Sequence, residues 1–108
     1  MKLKIFLQLI CVAAWLPVAA VAGDIAKGKE LSVTCAACHG ADGNSTIPTN
    51  PKLAGQYESY LIQALSAYKS GARKNAIMSG FVAELTPKDI KDLAAYFASQ
   101  ESELSVAE

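Results

Sequence analysis

Three residues of uncommon type stand in a fixed pattern at Cys35-Ala-Ala-Cys38-His39. Two thiols separated by two residues, with an imidazole directly after, form the attachment signature of a c-type haem. The spacing has a physical reason. Each thiol adds to one of the two vinyl groups of the ring, and two intervening residues let the backbone turn to reach both edges. The imidazole that follows then lies beneath the iron and donates one ring nitrogen. Three other chemistries use the same residue types. A dithiol redox pair expects a βαβ setting, and no strand pattern is present. A disulfide between Cys35 and Cys38 leaves His39 without a role. A zinc site takes four ligands, and the chain has one histidine and three cysteines, of which Cys11 lies in an apolar leader. Covalent haem uses all three residues of the motif.

Haem iron needs a second axial ligand. A single histidine excludes a bis-histidine site within one chain. Of the two methionines, Met1 belongs to the leader, so Met78 is the soft ligand that remains. Methionine–histidine ligation raises the reduction potential. It also fills both axial positions, which favours electron transfer over binding of oxygen or peroxide. The plainer reading of Met78 is a flexible core filler.

The leader is read as an address. Lys2 and Lys4 precede an apolar run from Ile5 to Leu16 that is interrupted only by Gln8. Pro17 breaks the run, and Ala20-Val21-Ala22 precedes Gly23. This is the pattern of a cleaved secretory signal peptide over residues 1–22. A retained anchor is the alternative, at the lower length limit for a membrane span. Ile10 is too bulky to precede a lipidated cysteine, so Cys11 is read as a hydrophobe of the leader. Removing residues 1–22 from the 108 leaves 86, and Lys2 and Lys4 leave with them, so eight basic residues face ten acidic ones. That slightly acidic balance gives no support to nucleic-acid binding, and the expected location is the periplasm. A domain of this size has a marginal core and often needs a disulfide, metal or cofactor to hold it. Haem, with two apolar faces, supplies buried surface.

Helices must position the site. Asp24 caps a first helix over about Ile25 to Val33, in which Gly28 is costly unless another helix approaches closely. Gly40 to Gly55, rich in glycine, proline and polar residues, reads as a loop. A loop that long in a small domain commonly wraps something. Gln56 to Ser70 is the clearest helix: Tyr57, Tyr60, Leu61, Ala64, Leu65 and Tyr68 share one face, and Gly71 fits the left-handed position that ends it. The three tyrosines are read as helix-packing core. Ala72 to Glu84 is expected to be loop-rich, with Met78 within it. Thr86-Pro87-Lys88-Asp89 opens a last helix, with Ile90, Leu93, Ala94 and Phe97 as its stripe and Tyr96 beside it. The acidic tail from Glu101 is expected to fray. The fold class is all-α.

With these motifs in place, the chain resembles the class I cytochromes c, specifically the small bacterial members similar to cytochrome c553 and to one half of dihaem cytochrome c4. The resemblance covers about Gly23 to Gln100. It rests on Cys35-Ala-Ala-Cys-His-Gly40, on Asn50-Pro-Lys-Leu-Ala-Gly-Gln56, on Met78, and on Leu85-Thr-Pro-Lys-Asp-Ile90 running to Leu93-Ala-Ala-Tyr-Phe97. It implies a small cytochrome c fold over residues 23–108 wrapped around one covalent haem c. It implies that the Pro51 carbonyl accepts a hydrogen bond from the proximal His39, and that Leu53 packs on the haem. Gly28 and Tyr96 match the crossing of the first and last helices. Gln56 and Arg73 match polar positions near the haem propionates, although Arg73 with Lys69 and Lys74 also reads as a solvated basic edge. The dense lysine ring of mitochondrial-type relatives is missing, which leaves the docking partner open.

The leading functional reading is a soluble one-electron carrier outside the cytoplasmic membrane, serving redox proteins as donor and acceptor, not an enzyme and with no membrane anchor after processing. The runner-up is a dedicated haem subunit of a larger periplasmic oxidoreductase. A sensor or enzyme with a labile sixth ligand has no distal acid–base pair to support it; Glu84 and Asp42 read as surface carboxylates.

Overall fold

The computed structural model describes residues 10–15 and 22–103. The signal-peptide expectation, residues 1–22, falls largely outside them. Among the described residues every regular element is helical. The order is α1 (Ile25–Leu31), a 3-10 turn (Ser32–Thr34), α2 (Ala36–His39), α3 (Glu58–Ser70), α4 (Ala76–Val82) and α5 (Pro87–Ser99).

Helix α5 is the spine. Its start is fixed by a reciprocal cap: Asp89 N–H donates to the Thr86 hydroxyl at 3.1 Å, and Thr86 N–H donates to the Asp89 carboxylate at 2.9 Å. Two orphan donors of the first turn are satisfied in this way, and Pro87 occupies the position where a missing N–H costs nothing. Ile90, Leu93, Ala94, Tyr96 and Phe97 are all buried on α5. Leu61 of α3 joins Leu93, Ala94, Tyr96 and Phe97 in the main cluster, with Leu31, Leu53 and Leu65 packed around it. Tyr96, read as lying beside the stripe, is inside: it is 5% exposed, and its hydroxyl donates to the Ala41 carbonyl at 2.8 Å. A buried phenol needs such a partner, and this one ties α5 to the turn after the cysteine motif.

Helix α1 crosses α5 at a glycine. A Cβ on Gly28 would lie 2.7 Å from the Tyr96 Cβ and closer still to the Asp92 carbonyl oxygen. Only a residue without a side chain lets the two backbones meet there. Asp24 caps α1 as expected, accepting from Lys27 N–H at 3.1 Å. Its own N–H donates to Asp92 of α5 at 2.8 Å, and Lys88 Nζ reaches the same buried carboxylate at 2.7 Å. Lys88 and the Asp24 amide hold the Asp92 carboxyl below the usual range.

Four sequence expectations need correction. The first helix stops at Leu31 and tightens into a 3-10 turn, which carries the chain into α2. The segment read as loop-rich contains α4, capped by the Asn75 side chain accepting from Met78 N–H at 3.0 Å. A two-turn helix is too short to show the periodicity that reveals a longer one. The third concerns the tail, which is held at residues 101–103. Asn44 donates to the Glu101 carbonyl at 2.8 Å and accepts from Glu103 N–H at 2.9 Å. Residues 104–108 lie outside the described ones. The fourth concerns the tyrosines of α3, which are not core: Tyr57 is 80% exposed and Tyr60 46%.

Candidate functional site: one cavity behind the cysteine motif

The apolar face of α3 packs on α5 through Leu61 and also borders a cavity of about 310 Å³. Tyr60, Leu61, Ala64, Leu65 and Tyr68 line it on this side. Leu93, Ala94 and Phe97 of α5 form its floor, so core and cavity share a wall. All eight residues singled out from the sequence line this one space: Cys35, Cys38 and His39 from α2 and its approach, Pro51, Leu53 and Gln56 from the long loop, Arg73 from the turn after α3, and Met78 from α4.

His39 ends α2 and is 7% exposed. Its Nδ1 donates to the Pro51 carbonyl at 2.8 Å. A carbonyl can only accept, so the proton sits on Nδ1 and the Nε2 lone pair is the one available for a metal. The loop carrying Pro51 is itself sewn to the motif. Asn50 donates to the Cys38 carbonyl at 3.0 Å and the Ser45 hydroxyl donates to it at 3.2 Å. Leu53 N–H donates to the Gly43 carbonyl at 2.8 Å and Gly55 N–H to that of Phe97 at 3.0 Å. The loop wraps the site, and each of its bends has a backbone partner.

Cys35 and Cys38 are unbridged. Burial pushes the Cys35 thiol up, against a smaller lowering by the Thr34 hydroxyl. No strand, and so no βαβ setting, exists among the described residues, which sets the dithiol redox reading aside. No cluster of three potential ligands for a metal ion alone exists among the described residues, so the zinc reading falls as well.

Met78, half-buried on α4, lines the same cavity as the motif. The rim is polar. Arg73 is exposed, with its guanidinium 4.8 Å above the Tyr68 ring and 3.4 Å from the Tyr60 hydroxyl. Its charge is held further above its ordinary range, chiefly by the Tyr60 bond. Gln56 accepts from Tyr57 N–H at 2.9 Å through Oε1, which leaves its amide hydrogens for another acceptor. Lys69 is not part of a free basic edge: its Nζ donates to the Ala83 carbonyl at 2.8 Å and ties the end of α3 to the C-terminal end of α4.

The donor set fits a haem. One imidazole, one thioether and two thiols line the same cavity as the apolar Leu53, Leu61, Leu65, Leu93 and Phe97, together with the Arg73 guanidinium and the Gln56 amide, which could take the carboxylates of a bound haem. Tyr60 and Tyr68 were the residues missed as part of this site. Their signal was present: both stand on the α3 face that turns to the cavity, within reach of an arginine just past the helix end.

Fold and site together define a small all-helical module built to attach a haem by two thiols. The chain belongs to the cytochrome c family, whose model matches residues 25–101. Haem c, covalently bound, is that family's cofactor. The chain is 42% identical to cytochrome c4 of Pseudomonas aeruginosa over 97% of its own length and 52% of that protein's. It is 45% identical to cytochrome c-554(548) of Halomonas halodenitrificans over 74% of this chain and the whole of that one. The crystal structure of reduced cytochrome c4 from Pseudomonas stutzeri superposes with a TM-score of 0.74 at 42% identity, covering 81% of this chain and 50% of the other. The chain thus spans about half the length of the cytochromes c4 it matches.

Proposed function

We propose that this chain is a monohaem one-electron carrier that works outside the cytoplasmic membrane, passing electrons between redox proteins. In this reading Cys35 and Cys38 form the two thioether links and His39 Nε2 and Met78 Sδ are the axial ligands. When bound, the haem supplies one-electron cycling between Fe(II) and Fe(III). The chain's own residues do the rest. Pro51 orients His39 and raises its basicity as a ligand. Leu53, Leu61, Leu65 and Phe97 exclude water from the ring faces. The Gln56 amide would donate hydrogen bonds to the propionates and the Arg73 guanidinium would offset their charge. Ligands from two separate helices would leave no open position for substrate, which is the reason to read a carrier and not an enzyme.

The observation that carries the proposal is the His39–Pro51 bond, which aims one imidazole nitrogen into the cavity that Met78 also lines. The leader at residues 1–22 supports export and release as a periplasmic protein. No helix among the described residues is long and apolar enough to cross a membrane.

The test is a visible spectrum of the exported protein, oxidised, reduced, and reduced under carbon monoxide. The carrier gives sharp low-spin bands, the weak long-wavelength methionine–ferric band, and no response to carbon monoxide. A large carbon monoxide shift moves the assignment to a sensor or enzyme. Absence of covalent haem returns Cys35 and Cys38 to thiol chemistry. Co-purification with a second subunit under native conditions makes the chain a component of a larger oxidoreductase.

A further inference from the structure

Arg73 is tethered in three ways. Gly71 ends α3 in the left-handed conformation at φ +83°, with nothing within 4 Å of where a Cβ would stand, so its role there is to turn the chain. Arg73 N–H then donates back to the Ala67 carbonyl at 3.1 Å. From that anchor the side chain lies along α3: its guanidinium stacks over Tyr68 and its Nη1 reaches the Tyr60 hydroxyl, two turns further back. An exposed arginine ordinarily samples many rotamers. Here a ring face and a hydroxyl both favour one position, and Arg73, Tyr60 and Tyr68 all line the cavity.

We propose that Tyr60 and Tyr68 are positioning residues, a two-ring clamp that holds the Arg73 guanidinium against the anionic edge of the bound haem and thereby sets its reduction potential. The proposal rests on the haem reading above. A fixed cation beside the haem carboxylates favours the reduced state, because reduction removes one positive charge from the iron. An unclamped arginine spends its time in water, where its field is screened. The clamp converts a solvated charge into a fixed one without burying it.

The experiment measures the midpoint potential of the holoprotein, of four single variants (Arg73→Gln, Tyr68→Leu, Tyr68→Phe and Tyr60→Phe) and of one double variant. Arg73→Gln is expected to lower the potential. Tyr68→Leu and Tyr60→Phe are expected to lower it in the same direction by part of that shift, while Tyr68→Phe, which keeps the ring face, stays close to the unsubstituted protein. The double variant Tyr68→Leu with Arg73→Gln is expected to match Arg73→Gln alone, because the two residues act as one unit. A Tyr68→Leu shift that adds in full to that of Arg73→Gln overturns the clamp and makes Tyr68 a packing residue only. An Arg73→Gln shift with none from either tyrosine overturns it too. If the unsubstituted protein lacks a low-spin haem spectrum, the haem reading itself fails, and that failure is visible before any variant is compared.

Discussion

The Pro51 carbonyl accepts the Nδ1–H of His39 at 2.8 Å, across twelve residues of chain. The acceptor is backbone, so its chemistry survives any side chain at position 51. What proline adds is a fixed φ in a loop that is otherwise polar and glycine-rich. Pro51→Ala is therefore expected to keep the absorption spectrum and to lower stability by about 0.4–1 kcal/mol, chiefly through a freer unfolded chain. Denaturant unfolding of the holoprotein checks it, and a changed spectrum would show that the proline ring itself orients the histidine.

In the proposed reading, Met78→Ala removes the sixth ligand of the iron. The reduced variant is expected to bind carbon monoxide, with a lowered potential and without the long-wavelength methionine–ferric band. A variant that stays low-spin and indifferent to carbon monoxide would mean that another group holds the sixth position.

The crossing of α1 and α5 tolerates no side chain at Gly28, where a Cβ would sit 2.7 Å from that of Tyr96. Gly28→Ala is expected to force the helices apart and to cost about 1–3 kcal/mol, the usual penalty of overpacking. Gly80 of α4 has nothing within 4 Å of the same construction. Gly80→Ala is expected to be neutral or mildly stabilising, because alanine is the better helix former. Paired urea titrations read both, and equal effects at the two positions would refute the crossing argument.

Asp92 gives the acid limb of the stability curve a defined cause. Lys88 and the Asp24 amide depress its folded pKa. Between that depressed value and the ordinary carboxylate value near about 4, the unfolded chain binds the extra proton. The stabilisation is thus complete above the ordinary value and is lost as pH falls through the folded one. Asp92→Asn is expected to flatten stability against pH below about 4 relative to the unsubstituted protein. Thermal melts across pH 2.5–7 would show it, and parallel curves would exclude Asp92 as the source.

The haem motif, the all-helical class and the caps at Asp24 and Thr86 were legible in the residues. So was the meeting of Gly28 with Tyr96, on the strength of family resemblance and of a glycine placed where a helix does not want one. Each is local chemistry: thiol spacing, a side-chain oxygen three residues before an N–H, a missing Cβ. Helix α4 was not legible, because two turns leave too little periodicity and its start depends on one Asn75 hydrogen bond. The tail was misread for a related reason, since its restraint comes from Asn44, more than fifty residues away.

The α3 stripe shows where the boundary falls. Sequence alone determined that Tyr60, Leu61, Ala64, Leu65 and Tyr68 share a face, because helical periodicity is a property of the chain by itself. It also left Cys35, Cys38, His39 and Met78 as the candidate donors, since one histidine, one methionine besides Met1 and two spaced cysteines leave little choice. Only the tertiary structure decided that this face looks into a cavity, that the tyrosines hold Arg73 at its rim, and that His39 presents Nε2 inward. Those facts depend on which surfaces meet, and meeting is set by packing α3 and α5 around one space and by hydrogen bonds between residues far apart in the chain.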